Sequence, residues 1–295
     1  MQAGAMGSDG FDMLLSGERV HELMQRPDVR MLHAWFAAPG SDVTGQQDFE
    51  RGHLPGAQLF DIEAMSDRAS PLPNMLPSAQ AFSASVEALG ISNDTWVIVY
   101  NQAGLSSAPR VWWMFKAFGH DRVSIMDGGM QHWKQQGRPV STRPADAVPP
   151  GHFVASPQPN RVRSKAEVAR NLLSHEALVV DARGAPRYSG EEKETLPGWA
   201  TGHIPASVNL PFMTLSDAAT GLMLPPDLLG KRAESVGVSL SRPVIATCRT
   251  GISACVVAFT LERLGHGSVS VYDGSWAEWG TDPASPVETG KGSNQ

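Results

Sequence analysis

The chain has 295 residues, 41% apolar and 18% charged, with a formal net charge of −6. That composition describes an ordinary soluble globular protein and excludes a disordered one, and the length predicts two domains, each large enough to bury a core. The acidic balance argues against non-specific binding to nucleic acid.

No apolar run approaches the roughly 18 residues that cross a bilayer. The opening MQAGAMGSDGFDMLL has no basic stretch followed by an apolar one, so it does not read as a secretory signal. Its first residues read as a short disordered lead-in, and a cytoplasmic protein is the default expectation.

Along the chain, GHLPGA (Gly52 to Ala57) comes first, and Pro77 to Leu89 is predicted to be a helix with Phe82, Val86 and Leu89 on one face. LGISNDTWVIVYNQAG (Leu89 to Gly104) contains the apolar run Val97 to Tyr100, of the kind buried inside parallel sheets. APRVWWMFKAFGH (Ala108 to His120) and MDGGMQHW (Met126 to Trp133) follow. The Pro-rich segment Arg143 to Arg161 reads as a linker, and Ser164 with Glu167 forms a capping box that opens a helix.

The same series then recurs. The strand ALVVD (Ala177 to Asp181) leads to GHIPAS (Gly202 to Ser207), offset from the first copy by 202 − 52 = 150, and to a strand at Val208 to Leu210. VGVSLSRPVIATCRTG (Val236 to Gly251), CVVAFTLERLGH (Cys255 to His266) and YDGSWAEW (Tyr272 to Trp279) match the remaining segments in order, with a last strand over Val269 to Tyr272. Four segments in register mark a tandem duplication. Strands alternating with helices predict an α/β fold, each copy a parallel sheet with helices on both faces. The expected domains are 11–142 and 162–288, joined by the linker 143–161.

The two cysteines are Cys248 and Cys255. A structural disulfide is not expected outside an oxidising compartment. Cys248 ends a strand and precedes a helix, where open α/β sheets bind ligands. A short loop with Gly251 can turn backbone N–H groups inward, and the helix N-terminus and Arg249 add positive potential. All three favour the thiolate, the nucleophilic form.

CRTGISA (Cys248 to Ala254) resembles the active loop of the tandem-domain rhodaneses and mercaptopyruvate sulfurtransferases, C-R-K-G-V-T-A or C-G-S/T-G-V-T-A. GHIPASVNLPF and YDGSWAEWG are similar to the family's flanking signatures, and DARGAPRYSG (Asp181 to Gly190) to its D-x-R-x-x-x-R-F/Y segment. The resemblance runs from about Leu15 to Val287 and implies two tandem rhodanese-like domains. It implies a ping-pong reaction in which Cys248 takes the outer sulfur of a small anionic donor, becomes a persulfide, and passes it to cyanide or a thiol. A thioredoxin-like protein is one candidate acceptor; no cofactor, nucleic acid or membrane is called for.

By the same resemblance Arg187 binds the anionic end of the donor and Arg183 positions it or braces the loop. Backbone amides of Arg249, Thr250, Gly251, Ile252 and Ser253 cradle the persulfide. Asp181 is expected to brace an arginine, Cys255 to lie in the core, and His53 and His203 to hold turns. The first copy has Asn101 where the second has Cys248, so it is expected to be catalytically silent, and His33 where the family often has an acid. Trp35 and Arg110 are expected in the core or in a wall of the site.

The donor is less plainly written. Arg249 follows the thiosulfate-using pattern, whereas Thr250 follows the mercaptopyruvate one. Asn74, in SDRASPLPNMLP (Ser66 to Pro77), replaces a family histidine, and only Lys193 could stand in for a second carboxylate-binding arginine. Thiosulfate is the preferred expectation and 3-mercaptopyruvate the alternative, with a persulfide relay without turnover a weaker one. A C-x5-R phosphatase would need an arginine where Ala254 stands, and the scattered histidines lack metal-ligand spacing.

Overall fold

The computed structural model of the chain describes residues 11–37 and 40–292. The lead-in expected at the N-terminus lies, as far as Gly10, outside the described residues. The chain divides into two compact units. The first comprises the chain up to Arg68, Leu76–Gln158 and Asp217–Met223; the second comprises Ala69–Met75, Pro159–Ser216 and the chain from Leu224 onward. Each copy thus lends a short segment to the unit built by the other.

In the first unit the elements are β1 (Leu14–Leu15), α1 (Gly17–Leu23), β2 (Val29–Trp35), α2 (Gly45–Glu50), β3 (Gln58–Asp61), α3 (Ile62–Met65), α4 (Ala79–Ala88), β4 (Trp96–Tyr100), α5 (Ala108–Ala117), β5 (Val123–Met126) and α6 (Gly129–Gln135). The second unit has β6 (Val162–Arg163), α7 (Lys165–Ser174), β7 (Leu178–Asp181), α8 (Ala185–Ser189), β8 (Val208–Asn209), α9 (Pro226–Ser235), β9 (Val244–Thr247), α10 (Ala254–Arg263), β10 (Val269–Tyr272) and α11 (Ser275–Trp279).

The two sheets have one topology, β1-β5-β4-β2-β3 and β6-β10-β9-β7-β8, and every pairing is parallel. Parallel neighbours require crossovers, which the helices supply, and helices flank each sheet. The expected α/β architecture is therefore observed. The central strands β4 and β9 are buried along their whole length, which explains their unbroken apolar runs. Both orders reverse direction between the same two strands, β4 and β2 or β9 and β7. Such a reversal opens a crevice at the carboxyl ends, and Cys248 directly follows β9.

Local signals act as expected in several places. Ser164 and Glu167 form the capping box of α7, and Ser78 caps α4 inside the expected helix. His53 and His203 hold equivalent turns: each ring nitrogen meets a backbone oxygen at 2.8 Å, of Phe49 and Tyr188 respectively, and each ring stacks on that same residue. Gly202 must be glycine, since a Cβ there would meet the Glu288 carbonyl oxygen at 2.2 Å.

The segment expected to be a linker packs along the first unit as far as Gln158. Phe153 is buried against Phe82, Phe115 and His120, and Gly151, Ser156 and Gln158 donate backbone hydrogen bonds to Glu87, Phe118 and Ala117. Proline-rich composition signalled the lack of a helix or strand, and the single buried Phe153 decides the packing. Among the described residues no helix is long and apolar enough to cross a membrane.

Candidate active site

At the carboxyl ends of β7 and β9 in the second unit lie Asp181, Arg183 and Cys248. Cys248 is buried, 1% exposed, and its backbone N–H donates to the Ser275 hydroxyl at 3.2 Å. That hydroxyl donates to the Tyr272 carbonyl at 2.7 Å and lies 4.0 Å from the Cys248 sulfur. Ser275 adopts a left-handed backbone, φ 49°, unusual for a residue with a Cβ. It opens α11, whose Trp276 and Ala277 amides donate to the carbonyls of Cys248 and Arg249 at 3.1 and 2.9 Å. α11 thereby pins the base of the loop.

Gly251 turns the loop with φ 79°, and Ser253 begins α10 without capping it by its side chain. Among the described residues the backbone amides of Arg249, Thr250, Ile252, Ser253 and Ala254 donate to no acceptor in the chain. Unused N–H groups beside a helix N-terminus form a nest for negative charge. Asn74, in the segment the first copy lends to this unit, sets its amide 3.5 Å from the Thr250 carbonyl.

Arg183 is also buried, clamped by both oxygens of Asp181 at 2.7 to 3.1 Å and by the Gly202 carbonyl at 2.7 Å. Its guanidinium lies over the Trp276 ring, 4.5 Å from the centroid. Burial opposes its charge, yet Asp181 holds it above the ordinary arginine value, with smaller contributions from Glu194 and Cys248. Asp181 is therefore an arginine brace, as expected, and Arg183 shares the electrostatic field of the cysteine.

Arg187, on α8, is half-buried and paired with the exposed Glu192 at 2.6 Å. Arg249 lies over Trp199, 4.8 Å from the ring centroid. The two reach the same residue: Arg187 Nη1 and Arg249 Nη2 each lie 3.4 Å from Glu194 Oε2, while Arg183 Nη1 lies 3.7 Å from Glu194 Oε1. The Glu194 side chain is only 2% exposed. Three arginines thus converge on one buried carboxylate.

Sequence reasoning missed Glu194, Ser275, Trp199 and Trp276. Glu194 sits in the acidic run EEKE, which reads as a solvated face, and Ser275 sits in a segment read for its repeat and its family signature. Cys255 is buried on α10 with its sulfur 3.2 Å from the Gly251 carbonyl, a core position behind the loop. Arg110 is fully buried in the first unit over Trp113. Trp35 lines a cavity of about 270 Å³ there with Asp48, Arg51 and Gln102. Lys193 is exposed.

The Rhodanese-like domain model matches residues 21–136 and 164–282, so the chain belongs to the rhodanese family, with two copies of its domain. The thiosulfate sulfurtransferase of Bos taurus is 41% identical over 90% of this chain and 90% of its own. The 3-mercaptopyruvate sulfurtransferase of Escherichia coli (strain K12) is 39% identical over 90% of this chain and 94% of its own. The crystal structure of the Escherichia coli 3-mercaptopyruvate sulfotransferase SseA superposes with a TM-score of 0.81, at 35% identity, covering 90% of this chain and 98% of that one. The chain is accordingly an enzyme, a sulfurtransferase.

Proposed function

We propose that the enzyme moves sulfur from a small anionic donor through a persulfide on Cys248, with 3-mercaptopyruvate as the preferred donor. The Cys248 thiolate attacks the donor sulfur and the carbon–sulfur bond breaks. Its electron pair goes to the methylene carbon, which takes the thiol proton and leaves as the methyl of pyruvate. The outer persulfide sulfur then passes to cyanide or to a thiol, such as a small dithiol or a thioredoxin-like protein. A cytoplasmic setting, where thiols are kept reduced, suits this step.

The observation that carries this reading is the set of unused loop amides around a buried cysteine, with the half-buried Arg187 and Arg249 and the buried Arg183 converging beside it. The amides hold the persulfide charge, Arg187 and Arg249 meet the donor, and Arg183 braces the loop from below. The same contacts bear on the choice of donor. From sequence, Arg249 favoured a doubly charged donor. In the structure Arg183, Arg187 and Arg249 face Asp181, Glu192 and Glu194. Three cations against three carboxylates leave no surplus for a dianion, and a monoanion suits the balance better. Thiosulfate is the second reading, favoured by the position of Arg249 beside Cys248.

The test is a side-by-side steady-state assay of both donors with cyanide and with a dithiol. A higher kcat/KM for 3-mercaptopyruvate is expected. A higher value for thiosulfate would reverse the donor assignment, and no turnover of either would remove the reading.

A further inference from the structure

We infer that Glu194 is a specificity-determining residue: its carboxylate occupies the centre of the arginine cluster and selects against doubly charged donors. The inference rests on the proposal that an anionic donor is bound at this rim.

The contacts distinguish Glu194 from an ordinary salt-bridge partner. A strong charge-assisted pair closes to about 2.7–2.9 Å, as Arg183 does with Asp181 and Arg187 with Glu192. Glu194 instead stands 3.4, 3.4 and 3.7 Å from its three arginines. It is shared among them rather than bound to one. A buried carboxylate needs compensating charge, and here it comes from the buried Arg183 together with Arg187 and Arg249, the two partly exposed side chains of the three.

That geometry places a fixed negative charge next to wherever the donor's anionic end meets those arginines. An arriving anion competes with Glu194 for the same guanidinium groups and feels its repulsion at short range, where water screens poorly. Repulsion scales with donor charge, so it bears about twice as hard on thiosulfate as on the 3-mercaptopyruvate carboxylate. The position lies in a loop that also carries the Arg249 platform Trp199, and the Glu194 N–H donates to the Thr201 hydroxyl across that loop at 3.3 Å. Donor preference is thus set outside the Cys248 loop.

The experiment is the ratio of kcat/KM for thiosulfate to that for 3-mercaptopyruvate, with one acceptor, in wild type, Glu194→Asp and Glu194→Gln. Removing one unit charge a few ångströms from the donor should raise the ratio roughly tenfold in Glu194→Gln. Glu194→Asp, which withdraws the carboxylate by one methylene, should raise it about two- to threefold. It also carries the test if the glutamine variant melts below assay temperature.

A ratio within twofold of wild type in the folded variants would overturn the inference, as would an equal fall for both donors, the mark of a brace. These outcomes are separate from failure of the underlying reading, which would show as absence of turnover by the wild-type enzyme itself.

Discussion

The two copies share a backbone frame and differ in what they place on it. His33 pairs with Tyr100 and Asp181 with Thr247, each strand residue standing directly before Asn101 or Cys248. By that register His33 is the counterpart of Asp181, and Trp35 of Arg183. Met130 and Gln131 donate backbone bonds to Asn101 and Gln102 just as Trp276 and Ala277 do to Cys248 and Arg249. The loops themselves diverge. Asn101 donates to the carbonyls of Ala103 and Gly104 at 2.8 and 3.1 Å and accepts from the Ala108 amide at 3.2 Å.

The first loop therefore closes on itself and spends its helix N-terminal amide on its own side chain. The second leaves its amides to whatever binds there. Duplication supplied one scaffold; in the first copy the side chain at this position fills the nest, and in the second it leaves the nest open.

The largest expected effect is on the nucleophile. Cys248→Ser should lower sulfur transfer by roughly a thousandfold while circular dichroism and melting stay near wild type; residual transfer above a tenth would remove Cys248 from the role. The converse graft sharpens the comparison. Asn101→Cys in that background should restore no transfer, because the first copy has Trp35 and His33 where the second has Arg183 and Asp181. Losing three bonds of Asn101 should also cost about 1–3 kcal/mol, read as a lower denaturant midpoint.

A smaller loss follows at the rim. Arg187→Ala should reduce kcat/KM for the donor by about tenfold or more and cost about 1–3 kcal/mol of stability, since the buried Glu194 loses one of its three arginines. An unchanged donor KM and kcat would place Arg187 outside the site. Ser275→Gly makes the second copy resemble the first at Gly129. It removes the hydroxyl that accepts the Cys248 amide, and transfer should fall severalfold, measured at saturating donor.

Acid should separate the copies as well. Burial lowers the His120 pKa from 6.5 to about 4. The unfolded chain then binds the proton that the folded one refuses, so this contribution to stability is whole above pH 6.5 and lost as pH falls toward 4. Roughly 3 kcal/mol is at stake, and it falls on the first unit. Melting followed from pH 7 to 4.5 should show that unit failing first, and His120→Gln should flatten the dependence.

Much of this was legible in the sequence, because repeats, buried strands and the Cys248 loop depend on local patterns. Phe82 and Val86 shared a face, VIVY and VIAT were unbroken, and CRTGISA sat between strand and helix. The charge balance was not legible. Glu194 meets Arg249 only because the fold brings the stretch 183–194 against the Cys248 loop, and an acidic run in sequence looks solvated. Ser275 was hidden for another reason: its role depends on a left-handed backbone that serine rarely adopts. The segment 143–161 read as a linker because nothing in its proline content reports that Phe153 is buried.

The central claim is that Cys248 alone carries the sulfur. It is tested most directly by incubating the enzyme with donor and no acceptor, then mapping added sulfur by peptide mass spectrometry. One extra sulfur on the peptide containing Cys248, released on adding cyanide and absent from Cys248→Ser, is the predicted result. Sulfur found on Cys255, or donor turnover with no sulfur retained on the chain, would contradict it.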